Sequence, residues 1–115
     1  MAWLIGIPWS ESGVAGLLIG EKTVVNEFVA YFHMSQIMGG HVSDIAANAL
    51  SPRSSVIVVY ALCGFSNFLS IAIQIGGIGG IAPDRRHDLA RLGIKALVGG
   101  SLACFLTAAI AAILI

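Results

Sequence analysis

Polar punctuation divides this chain into four apolar blocks, and their lengths decide what each can be. The first, Ala2 to Ile7, falls short of the roughly 20 apolar residues that a helix needs to cross a bilayer. Residues 1–9 therefore read as the end of a helix begun elsewhere. The second block, Val14 to Met34, is interrupted by Gly20-Glu21-Lys22-Thr23 and again by Asn26-Glu27, which leaves two half-length helices. Charge and irregular backbone at membrane depth are tolerated only where protein or a wet cavity covers them, so residues 11–36 are expected to form a re-entrant helical hairpin with Glu27 just past its tip. A polar stretch containing Gly39-Gly40-His41 follows. Ser51-Pro52 then supplies an N-cap and a first-turn proline for the next helix. From Val56 to Ala82 every residue is uncharged, yet Gly64-Phe65-Ser66-Asn67-Phe68 places small and polar residues at the middle of the run. Residues 52–82 are thus expected to be a discontinuous transmembrane helix. The last block carries only Lys95 near its start, and residues 84–115 read as an ordinary spanning helix.

Composition supports lipid as the solvent: 57% of the 115 residues are hydrophobic, 10% are charged, and the mean hydropathy is +0.92. Soluble domains carry about 25% charged residues. The fold class expected is therefore all-α and integral to the membrane. A net charge of zero with no block of like charges offers no footprint for nucleic acid. Met1 to Ile5 lacks a basic residue and soon meets Pro8, so no removable leader is expected. Arg85, Arg86, Arg91 and Lys95 cluster between the third and fourth blocks, which puts the 83–95 connection in the cytoplasm and the C-terminus outside.

An ionisable side chain at membrane depth is a functional residue by default, which makes Glu27 the first candidate. A second reading pairs it with Lys22 so that both charges are neutralised. Asn67 and Ser70 lie one helical turn apart if the helix resumes there, so both can face one cavity, where freed backbone groups add ligand-binding capacity. Recapturing backbone hydrogen bonds is their alternative use. Phe65 and Phe68, beside Asn67, are placed to stack on a flat ligand, whereas Trp3, Trp9, Tyr31 and Tyr60 read as interfacial or packing aromatics. Gly16 with Gly20, and Gly76 to Gly80, match the small-xxx-small pattern of close helix packing and lack the continuation of a nucleotide loop. Cys63 and Cys104 share no ligand spacing with His33, His41 or His87, so they are expected to be buried thiols, with no metal site. The histidines are expected to face solvent or the interface. No nucleophile with a nearby base appears, so an enzyme is not expected.

Gly20-Glu21-Lys22-Thr23-Val24-Val25-Asn26-Glu27-Phe28-Val29-Ala30-Tyr31, Ser51-Pro52-Arg53, Tyr60-Ala61-Leu62-Cys63-Gly64-Phe65-Ser66-Asn67-Phe68 and Ile73-Gln74-Ile75-Gly76-Gly77-Ile78-Gly79 through Ala82-Pro83 stand in one order across the chain. Together they closely resemble the C-terminal region of concentrative nucleoside transporters, bacterial nucleoside permeases among them. The resemblance implies a Na+- or H+-coupled symporter of the inner (plasma) membrane that moves nucleosides inward. It also implies two inverted repeats, each with a re-entrant hairpin and a broken helix, of which this chain resembles the second. Glu27, Asn67 and Ser70 would then hold the ribose and Phe65 would flank the base, with Asn26 and Lys22 in support. No cofactor is implied, and the coupling-ion site and base selectivity are expected in the first repeat, outside this chain. Family members are several times longer and trimeric, so the partners implied are a missing N-terminal half and, for the whole protein, two further copies. Glu21 and Leu69 depart from residues common in the family. The competing expectation is a truncated or accessory membrane protein without transport activity of its own.

The orientation has a direct check. Single cysteines introduced between Asp84 and Lys95 are expected to react with a membrane-impermeant thiol reagent only from the cytoplasmic side, and one at Ile115 only from outside.

Overall fold

Five α-helices and three short 3-10 turns carry the residues that the structure, a computed structural model, describes: 1–39 and 50–115. The expectation for His41 lies outside them. All regular structure among the described residues is helical, in agreement with the all-α fold class. Helix α1 spans Ser12–Val24 and α2 spans Glu27–Met38, joined by Val25-Asn26. Only this dipeptide interrupts the hairpin. Gly20 to Thr23, expected to break it, continue α1, with the Thr23 hydroxyl donating to the Ile19 carbonyl at 2.8 Å. Helix α3 covers Pro52–Leu62, α4 covers Phe68–Ile81 and α5 covers Arg86–Leu114. The first block, Ala2–Ile5, is a 3-10 turn that ends at Gly6 with φ of 99°, a left-handed conformation open to glycine.

Helix α3 starts where the sequence indicated: Ser51 caps it through its side chain and Pro52 occupies the first turn. At 11 and 14 residues, α3 and α4 measure only about 16 and 21 Å, so neither half spans a 30 Å hydrocarbon core alone. The 29 residues of α5 reach about 44 Å. Together with the turn before it, Pro83–Leu114 is the one helical segment among the described residues long and apolar enough to cross a membrane.

The core lies where α1, α2, α3 and the C-terminal part of α5 converge, around Ala15, Leu18, Ala30, Ile57, Val58, Ala61, Leu62 and Ala108. Arg53 closes one end of it. Its guanidinium donates to the carbonyls of Gly6 (2.9 Å), at the chain start, and of Ala112 (2.6 Å) and Ile115 (3.3 Å), acceptors that the end of α5 leaves free. Glu11 makes a second tie at this end, accepting from the Ser51 amide at 3.0 Å and the Ser51 hydroxyl at 3.1 Å. Hydrogen bonding from the Ser54 side chain and the Ser51 amide holds its carboxyl below the usual range against a smaller desolvation effect.

By contrast, α4 buries only Ser70 and Gly79 and leaves Phe68, Leu69, Ile73, Ile78 and Ile81 exposed. The small-residue motifs were expected to pack helices closely. Within the described chain, Gly16, Gly20, Gly76, Gly77 and Gly80 meet open space, and only Gly79 is approached, by the Arg86 side chain. Close packing falls instead on α5, where a Cβ at Gly93 would meet Ile71 at 2.7 Å and one at Gly100 would meet Ser66 at 3.0 Å. The cysteines are also corrected in part. Cys104 is buried, but Cys63, the residue that ends α3, is exposed because the chain leaves the helix there and turns its side chain outward.

Gly64 makes the α3–α4 break possible. Its φ of 154° is unfavourable for a residue with a side chain, and a Cβ would overlap the Cys104 sulfur, which donates to the Cys63 carbonyl at 3.1 Å. Gly64→Ala is expected to lower unfolding stability in detergent by about 2 kcal/mol or more, from backbone strain and overpacking together. Adding Cys104→Ala should recover the overpacking part alone, which denaturant titration of the two variants measures.

Candidate functional site

The two helix interruptions face each other, and each restarts its helix with an asparagine. Asn26 has extended backbone (φ −168°, ψ 168°), and its side chain accepts from the Val29 amide at 2.9 Å, capping α2. Asn67 does the same for α4, accepting from the Ser70 amide at 2.7 Å. The Ser70 hydroxyl completes a capping box, lying 3.2 Å from the Asn67 amide that donates to it and 2.7 Å from the Asn67 carbonyl to which it donates. The Val29 amide at the first break and the Asn67 and Ser70 amides at the second are thereby paired.

The same Asn67 side chain joins the breaks, since its Nδ2 donates to Glu27 Oε2 at 2.9 Å. Asn67 is fully buried and Glu27 half-buried. Glu27 occupies the first turn of α2 and contacts the cap of α4, so its side chain lies beside two helix N-termini. Its other oxygen, Oε1, accepts no hydrogen bond from the described residues. One Nδ2 proton of Asn67 is likewise uncommitted, and Ser70 keeps one lone pair, since its proton and its other acceptor site serve the capping box. Glu27, Asn67 and Ser70 thus form one connected group with unused acceptors and a donor.

Lys22 points elsewhere. It is fully buried, makes no ion pair with Glu27, and donates to the Ser66 hydroxyl at 2.5 Å. Asn26 acts through the backbone as the α2 cap. Phe65, 57% exposed, lines a cleft of about 360 Å³ between α4 and α5, whose polar wall is Ser66, Ser70 and Gln74. Ser70 therefore borders both the cleft and the Glu27–Asn67 junction. Glu27 and Asn67 are not part of the cleft lining. Leu69 is exposed and outside it too.

Sequence reasoning did not single out Ser66. The signal available was its place in the polar interruption, but its partners, Lys22 on α1 and Ser101 on α5, are 44 and 35 residues away. Nor did it find that His33 Nδ1 lies 2.8 Å from Glu21 Oε1, a tie between the two hairpin helices. Among the described residues no three or more His, Cys, Asp or Glu side chains gather as metal ligands.

The family model described as "Na+ dependent nucleoside transporter C-terminus" matches residues 1–112. The uncharacterized transporter YutK of Bacillus subtilis (strain 168) is 50% identical over all 115 residues, and the nucleoside permease NupC of Helicobacter pylori is 40% identical over the same length. The chain spans only about a quarter of these relatives, 26% and 27%. Among solved structures, CNTnw in an inward-facing substrate-bound state superposes with a TM-score of 0.85 at 51% identity, covering 96% of this chain and 26% of that one.

The two duties of Asn67 are separable. Asn67→Ser keeps a capping oxygen but is too short to reach Glu27, whereas Asn67→Ala loses both contacts. The alanine variant is expected to unfold in detergent with about 1 kcal/mol less stability than the serine variant, the worth of an N-cap, as read by denaturant titration followed by circular dichroism.

Proposed function

Since this chain belongs to the Na+-dependent nucleoside transporter family, whose C-terminal region it matches, we propose that it serves cation-coupled nucleoside uptake across the cytoplasmic membrane by supplying the ribose-binding half of the substrate site. The observation that carries this reading is the Glu27–Asn67 junction: a carboxylate with one oxygen held by a buried amide and the other unclaimed, at the meeting point of two helix breaks.

The chemistry suits vicinal hydroxyls. Glu27 Oε1 accepts from one or both ribose hydroxyls, the free Nδ2 proton of Asn67 donates to a hydroxyl oxygen, and Ser70 offers its remaining lone pair. Asn26 caps α2 and the Asn67–Ser70 capping box caps α4, so these side chains are positioned before the ligand arrives. Phe65 presents an exposed ring at the cleft for stacking on the base. A sugar lacking one hydroxyl leaves a desolvated group unpaired, at a cost of about 1–3 kcal/mol, which is the basis of ribose selectivity.

In this reading the hairpin α1–α2 re-enters the membrane from one side, α3 and α4 together make one broken crossing, and α5 makes a complete one. The opposite face of the site and the coupling-ion site, for Na+ or H+, come from a first repeat outside this sequence. The assembled transporter is a homotrimer.

Glu27→Gln is expected to reduce nucleoside uptake at least tenfold, because an amide oxygen replaces a charge-assisted acceptor. Membrane insertion should be intact. Radiolabelled nucleoside uptake, normalised to the amount of protein in the membrane, checks this, and normal uptake by the variant overturns the assignment.

A further inference from the structure

We propose that Lys22 is the positioning residue of this site: its ammonium locks Ser66, and through Ser66 the adjoining Asn67, at the distance where the Asn67 amide meets Glu27. The inference rests on the reading of Glu27 and Asn67 as substrate ligands and adds a residue that touches no substrate.

Lys22 has 0% exposure, yet lysine is almost never fully buried without a paired partner, because removing an ammonium from water costs several kcal/mol. Its one side-chain hydrogen bond among the described residues goes to a neutral hydroxyl, at 2.5 Å. A charged donor makes such a bond shorter and stronger than one between neutral groups. Position offsets part of the burial cost, since Lys22 occupies the last turn of α1, where the helix dipole favours a cation. Glu27 occupies the first turn of α2, where it favours an anion. The hairpin tip therefore holds opposite charges on its two sides without letting them pair.

That separation has a chemical consequence. An ammonium bound to Glu27 would take up the carboxylate oxygen that the substrate needs. Directed to Ser66, it leaves Oε1 free and does mechanical work instead. Ser66 is buried, precedes Asn67 in the chain, and is reached from α5 by the Ser101 hydroxyl at 3.5 Å and the Cys104 sulfur at 3.9 Å. Its own amide donates to the Gly64 carbonyl at 2.8 Å, which tightens the break. Ser66 is thus the one residue of the break held by α1 and α5 together, and the charged bond from Lys22 is the strongest of its side-chain contacts. Removing the ammonium frees the 64–67 segment to shift by the few tenths of an ångström that separate a good amide–carboxylate bond from a poor one.

The test is uptake kinetics in cells that lack other nucleoside uptake and carry the native gene as wild type, Lys22→Met, Ser66→Ala, the double variant, or Glu27→Gln. Methionine keeps the apolar stem and removes the charge. Lys22→Met is expected to raise the half-saturation concentration about tenfold, with a much smaller change in maximal rate per molecule in the membrane. Ser66→Ala should move it in the same direction, and the double variant should resemble Lys22→Met alone, because both substitutions remove one interaction. An unchanged half-saturation concentration in Lys22→Met, or additive effects in the double variant, overturns the proposal. So does a mere loss of protein from the membrane with normal affinity in what remains. Should Lys22→Met fail to accumulate, Ser66→Ala decides the matter by the same criterion. Glu27→Gln separates the two levels: if it transports normally, the ribose-site reading has failed, whereas its loss beside a normal Lys22→Met refutes the positioning role alone.

Discussion

A helix broken at membrane depth leaves amides and carbonyls that no water is present to satisfy. This chain contains two helix breaks, and the rest of the structure depends on how they are closed. Asn26 and Asn67 each turn a side-chain oxygen back onto the next helix, so one amide of each helix start is paired locally. Among the side chains at the junction, one oxygen of Glu27, one proton of Asn67 and one lone pair of Ser70 are left uncommitted. Interruption of the helices thus brings a carboxylate, an amide and a hydroxyl together at one point.

The two breaks are held face to face by ties of different kinds. Between them, Glu27–Asn67 and Lys22–Ser66 bridge the hairpin to the broken helix with charge-assisted bonds at 2.9 and 2.5 Å. At one end of the bundle, Arg53 and Glu11 join the chain start, the hairpin, α3 and the end of α5 through backbone acceptors and the Ser51 donors. Apolar packing cannot do this alone in lipid, where hydrocarbon tails compete equally for apolar side chains. Among the described residues helix α4 has no such tie beyond its first turn, and many of its apolar side chains are exposed. The family relatives, about four times longer, supply further protein that this chain does not contain.

Much of this was legible in the residues. Proline after serine marked the start of α3, the glycine and asparagine of 64–67 marked the break, and an uninterrupted apolar run marked α5. Glu27, Asn67 and Ser70 stood out because a polar group in an apolar run requires a reason. Where reading along the chain erred, the cause was distance. Gly20 to Thr23 looked like an interruption because a charged pair seldom sits inside a membrane helix, but Lys22 finds Ser66 and Glu21 finds His33, so the helix continues through both. Of the glycines in α1 and α4, only Gly79 meets a side chain within the described residues, while Gly93 and Gly100 of α5 make close contacts that reading along the chain did not single out.

The sequence by itself determined the solvent, the helical class, the start of α3 and the break before α4, and a short list of polar residues set within apolar runs. These follow from local rules: hydropathy over a span, the capping preferences of asparagine and serine, and the φ freedom of glycine. Only the tertiary structure decided which polar group meets which. It assigned Lys22 to Ser66 rather than to Glu27, gave Asn67 both a cap and a carboxylate, and used Arg53 to close the end of α5 some 60 residues away. Such choices turn on ångström differences between groups that the chain brings together from distant positions, and no periodicity or composition along the sequence encodes them.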